Sequence, residues 1–203
     1  QMTLYRQVAS RGADNNVLTI DGDVRIAKEI GGNGLVKKGN GNLTLDAVNS
    51  YTGGTTISQG SVTINNDSSL GSGDVTFATG TTLHTAKDVA IANKVTLTGN
   101  TTVNNANDLV MNGVLGVGSL TKTGVGSLTL TGSNTYAGGL MVVEGKVVVN
   151  NATALGSGKA TFAANTILET AAPVTLANDI GLAGNVILNS NGQDSTLSGV
   201  VSG

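Results

Sequence analysis

Histidine occurs once, at His84, and cysteine is absent. A hydrolytic triad would need that imidazole beside a nucleophilic serine and a carboxylate. Eighty-five residues further on, at a matching place, stands Glu169. A position that accepts either residue reads as a surface polar site rather than a catalytic base. One imidazole without thiolates is too little for a transition-metal site. Asp21-Gly22-Asp23 offers the clustered carboxylates that hard cations prefer. No acid recurs there at a fixed interval, however, and Asp74 is matched by Lys159. A solvated turn is the simpler reading. Glycosidic cleavage needs two acids about 5–9 Å apart, and no spacing in the sequence sets such a pair. Gly39/Gly41, Gly71/Gly73 and Gly124/Gly126 lack the third glycine of a dinucleotide fingerprint, since threonine stands there, and no phosphate-cradling loop is present. No catalytic, cofactor-binding or metal-binding residue is assigned.

The composition defines what must carry this surface. Among 203 residues there are 30 glycines and one proline, and aromatics make up 2%. A core without large rings has to be built from Val, Leu, Ile and Ala in many thin, similar layers. The net charge of −2 supplies no clustered cations for nucleic acid. Apolar runs such as Leu140 to Val143 are far shorter than the roughly 18 residues of a spanning helix. The chain opens at Gln1 without a signal peptide and is read as a fragment of a longer protein.

Short stretches alternate apolar and polar residues, among them "LTL" 43–45, "VTI" 62–64, "VTF" 75–77 and "VAI" 89–91. Such alternation, rich in β-branched residues and punctuated by Asn, Gly and Asp, marks strands and turns. The chain also repeats itself. Residues 35–78 align without a gap to 120–163, with 22 of 44 positions identical. Position 35 returns at position 120, which sets the repeat unit. Full copies lie at 35–119 and 120–203, with a partial copy at 16–34. Strand centres recur in two series, Thr44, Thr63, Thr82, Thr102, Thr129 and Thr56, Thr76, Thr96, Leu115, Val142. Steps of about 20 residues correspond to the coils of a parallel β-helix. Each series takes one long step between Leu115 and Thr129. The spacing thus predicts four coils per unit and a protruding turn on every fourth coil, carrying Lys37 or Lys122. Both lysines are then candidate surface contacts. Between the copies Asn49, Tyr51, Gly53 and Gly54 recur as Asn134, Tyr136, Gly138 and Gly139. They read as a structural turn motif: glycine for corners that a Cβ forbids, asparagine for left-handed or self-bonding turns and amide stacks, and tyrosine as an anchor over the coil. An exposed tyrosine contact for a glycan or protein is the alternative.

These residues carry a resemblance. Leu35, Lys37, Gly39, Gly41, Leu43, Leu45, Asn49, Tyr51, Gly53, Gly54 and Gly60, and their counterparts Leu120 to Gly145, are similar to the passenger-associated transport repeat, or autotransporter-associated β-strand repeat. The resemblance implies an exported passenger of a Gram-negative type V secretion protein, folded as a right-handed parallel β-helix of about nine or ten coils. It implies secretion across the outer membrane to the cell surface, and membrane attachment only through a C-terminal barrel beyond these residues. Many proteins with this repeat are adhesins, and the repeat is associated with passenger export and folding. The reading is a single all-β solenoid over residues 1–203, without enzymatic activity or cofactor. It contacts a host or bacterial surface component, protein or glycan, or another copy of itself, but not nucleic acid. A β-helical polysaccharide-cleaving module and a cell-aggregating self-association module are the alternatives.

Overall fold

Alternating triplets of Val, Thr, Ile and Leu form short strands because one face can be buried while the other stays wet. Here they are too short to close a sheet alone, so each stacks on the equivalent strand one coil away. The computed structural model describes residues 1–203, in strands and turns without a helix. Every strand pairing is parallel. The chain is a parallel β-helix of about ten coils.

Each coil has three sides. Side 1 stacks Asn16–Thr19, Leu35–Lys38, Thr55–Ile57, Val75–Phe77 and the beginnings of Val95–Asn105 and Leu115–Thr123. Side 2 stacks Val24–Ile26, Asn42–Leu45, Ser61–Ile64, Thr82–Thr85, the ends of those two long strands, then Leu140–Val142 and Ala160–Ala163. Side 3 stacks Val89–Ile91, Leu109–Met111, Ser127–Leu130, Lys146–Val149 and Ile167–Thr170. Corner backbones continue the ladder, as where the Ser50 N–H donates to the Ile30 carbonyl.

Inward residues form columns. Leu43, Val62, Leu83 and Val103 follow one another on side 2. Leu128, Val147 and Leu168 do so on side 3. All seven belong to one core of 38 buried residues. Tyr51, Tyr136, Phe77 and Phe162 are its fully buried rings.

The three-sided coil corrects the repeat geometry. Leu35 lies on side 1, and its counterpart Leu120 lies on side 2. Thus one repeat unit, from Leu35 to Leu120, traverses thirteen sides, four coils and a third, rather than four coils. The long step in the strand spacing is one additional side. No turn protrudes there, because residues 115–123 form one continuous strand paired to its neighbours on both sides of the corner. Lys37 and Lys122 therefore stand on different sides rather than one above the other.

Candidate functional site

The two lysines are not surface contacts. Leu35 and Lys37 share a face of their strand by the two-residue period, and so do Leu120 and Lys122. Lys37 takes the inward place next to Leu18 and Ile57, and Lys122 the place between Val103 and Val142. Both are fully buried. The ammonium ends reach the corner and bind carbonyls. Lys37 Nζ donates to the oxygens of Gly39 and Gly41, each at 2.6 Å, and of Gln59 in the next coil at 2.9 Å. Lys122 Nζ donates to Thr123, Gly124 and Glu144. Each lysine is thus a staple between a corner and the coil above. Gly60 and Gly145 are glycine because a Cβ there would meet the ammonium at 2.6 and 2.8 Å. Burial lowers the Lys37 pKa below the ordinary lysine value, with Asp21 nearby opposing. Burial brings Lys122 down to about 8 against the opposing Glu144.

The turn motif is likewise internal. Asn49 does not adopt the left-handed backbone. Its Oδ1 accepts from the Ile30 N–H at 2.7 Å and its Nδ2 donates to the Ser69 carbonyl at 2.5 Å, so one amide links three coils. Asn134 repeats this with Leu115 and Ala154. The Asx turns fall instead at Asn66 and Asn151, which accept from Ser68 and Thr153 N–H groups. Gly54 and Gly139 have φ of 92° and 95°, and a Cβ there would lie 2.8 and 2.7 Å from the Asp74 and Lys159 carbonyls. Tyr51 and Tyr136 are buried, with rings directly beneath the corners at Gly71 and Gly156. The Tyr51 hydroxyl lies 2.6 Å from Thr55 Oγ1, which donates to the Leu70 carbonyl. Position 140, equivalent to Thr55, is leucine, and the buried Tyr136 hydroxyl has no partner. Burial raises the Tyr51 pKa to about 12, the Thr55 hydrogen bond opposing, and burial alone raises that of Tyr136 further.

His84 is half-buried on side 2, in register with Thr63 and Asn104. Burial lowers its pKa, and no carboxylate adjoins it in the ladder. No three His, Cys, Asp or Glu side chains converge as metal ligands. Asp67, Asp88 and Asp108 line one edge, where each carboxylate accepts a backbone N–H of the following coil.

What the sequence did not reveal is a pair of clefts. One, of about 490 Å³, is lined by Asn15, Val36, Gly54, Thr56, Asp74 and Thr76 among others. The second, of about 440 Å³, is lined by Asn100, Thr121, Gly139, Met141, Lys159 and Thr161 among others. These residues match pairwise across the repeat offset. The first cleft faces out from side 1 and the second from side 2. Bare glycine corners form part of each, and the only signal in the sequence is the recurring Gly-Gly itself.

The staple, the bridging asparagine, the buried tyrosine and the cleft all come from one recurring segment. Residues 35–64 and 120–149 match the passenger-associated transport repeat. The chain carries two passenger-associated transport repeats. Over 147 residues, 70% of this chain, it is 34% identical to the adhesin BmaC autotransporter of Brucella suis biovar 1 (strain 1330). The chain spans 4% of the length of that relative. No solved structure matches. The repeats and this likeness mark the chain as autotransporter passenger sequence.

Proposed function

We propose that this passenger sequence is displayed at the bacterial surface and forms part of an adhesive stalk, without catalysing a reaction. The observation that carries this reading is the likeness to an autotransporter adhesin over 70% of the chain. The outward faces support it. They present rows such as Val36–Thr56–Thr76 and Thr121–Met141–Thr161 at successive coils. Weak contacts repeated along such a surface add up through multivalency. The repeats have a second role in this reading. Each lysine staple and each asparagine bridge joins a coil to the one before, which favours folding coil upon coil as the chain emerges from the membrane.

The test is attachment. Beads coated with the purified chain should adhere to host or bacterial cells and uncoated beads should not. Equal attachment of both would remove the adhesive role. Clumping of coated beads without cells would instead show self-association.

A further inference from the structure

Building on the adhesive reading, we propose that the two Gly-Gly clefts are carbohydrate subsites, the first taking neutral sugar units and the second carboxylated ones. The same concavity is built twice, on two sides of the helix, from positions that match across the repeat offset. Its volume lies in the range of small-molecule sites. The lining is chemically suited to hydroxylated ligands. The hydroxyls of Thr56, Thr76 and Thr161 make no hydrogen bond within the protein, and neither Asp74 nor Lys159 forms an ion pair. Their hydrogen-bonding capacity points outward.

A peptide is a poorer fit. Recognition of an extended peptide by strand addition needs a free sheet edge, but the strands flanking each cleft are already paired. An apolar ligand finds mainly hydroxyl, amide and backbone groups in the first cleft. A sugar matches those groups with its own hydroxyls, and the wide mouth admits a polymer passing through.

The difference between the clefts then acts as a selector. Asp74 at the rim of the first repels carboxylates, and its counterpart Lys159 attracts them. Gly181 replaces Thr96 of the first copy, and Lys159 lies across it: a Cβ there would stand 3.0 Å from Cε and 3.5 Å from Nζ. The missing side chain seats the lysine over the cleft. Met141, in place of Thr56, supplies an apolar edge for the C–H face of a ring. Each contact is shallow, so single-site affinity is weak and avidity comes from several copies.

Calorimetric titration with a galacturonate hexasaccharide and with cellohexaose tests this. The wild-type chain should bind about one galacturonate hexasaccharide and one cellohexaose per molecule. Lys159→Glu should weaken the acidic sugar roughly tenfold or more, an ion pair's worth, and leave cellohexaose unchanged. Asp74→Lys should raise the acidic stoichiometry from about one to two. Both side chains are exposed, so circular dichroism should stay the same. Absence of binding by either sugar overturns the proposal. So does an equal loss of acidic binding in Lys38→Glu, which would indicate net charge rather than a site. Bead attachment separates the two readings: sugar binding without attachment defeats adhesion but supports the clefts, and attachment without sugar binding does the reverse.

Discussion

Phenylalanine at two equivalent tyrosines should have opposite effects. In the first copy, the Tyr51 hydroxyl, Thr55 Oγ1 and Leu70 carbonyl form a chain of hydrogen bonds inside the core. Tyr51→Phe breaks one of them, a loss of about 1 kcal/mol. In the second copy Leu140 occupies the place of Thr55, and the Tyr136 hydroxyl is buried without a partner. An orphaned hydroxyl costs roughly 1–3 kcal/mol of desolvation, and Tyr136→Phe removes it while keeping the ring. That variant should therefore be more stable than wild type, by about 1–2 kcal/mol. Urea unfolding at unchanged m of about 2 kcal/mol/M would show midpoints moved down by about 0.5 M for Tyr51→Phe and up by about 0.5–1 M for Tyr136→Phe. Leu140→Thr should show favourable coupling of about 1 kcal/mol with Tyr136 that is absent in the phenylalanine background. Equal destabilisation by both tyrosine substitutions would refute the argument, because it would mean that the Tyr136 hydroxyl is satisfied, as by a trapped water.

Lys122→Met leaves three carbonyls without their donor and should lose about 2–3 kcal/mol, whereas the exposed neighbour of the other staple, Lys38→Met, should stay within about 0.5 kcal/mol; chemical denaturation compares them. Val117, 62% exposed, holds a φ of 80° where the preceding partial copy has Gly32, so Val117→Gly should raise stability by about 1 kcal/mol, measured as a higher melting temperature. The pH profile of unfolding should bend twice. From about 8 to 10.5 the unfolded chain holds the Lys122 proton that the folded chain has lost, so this group makes stability rise. Tyr51 acts oppositely: stability is full below its unfolded value of 10.0 and falls as pH climbs toward about 12, by about 3 kcal/mol. In a Tyr5→Phe background, which removes the one exposed tyrosine, tyrosinate absorbance that grows before circular dichroism changes would contradict the alkaline limb.

The parallel ladder was legible because steps of about 20 residues, sustained in two series, match little besides stacked coils. The inward places of Leu43, Val62 and Leu83 followed from alternation alone. The number of sides did not. In the first coils of the first copy side 3 is occupied by corner residues such as Asn49 and Tyr51 rather than by a strand triplet, and its triplets begin only at Val89–Ile91, so only two series of strands run through the whole copy. The jump from Thr102 on side 2 to Thr129 on side 3 then looks like an insertion. The burial of Lys37 was written in its parity with Leu35, but a lysine is ordinarily placed in water. The internal roles of Asn49 and Tyr51 depend on partners one coil away along the chain, and the clefts depend on what the glycines leave out. Neither is visible along a single strand.

A period of thirteen sides on a three-sided coil works like the thread of a bolt. Each repeat advances about 21 Å at 4.8 Å per coil and turns by one side. Three consecutive repeats bring the thread back to its starting bearing, after thirteen coils. Had the unit been twelve sides long, every copy of a surface feature would lie along one meridian, and a rod rolled the wrong way would present a blank face. With one side to spare, an array of these repeats carries its features around the full compass, and whichever way it lies against a surface, one copy in three faces it.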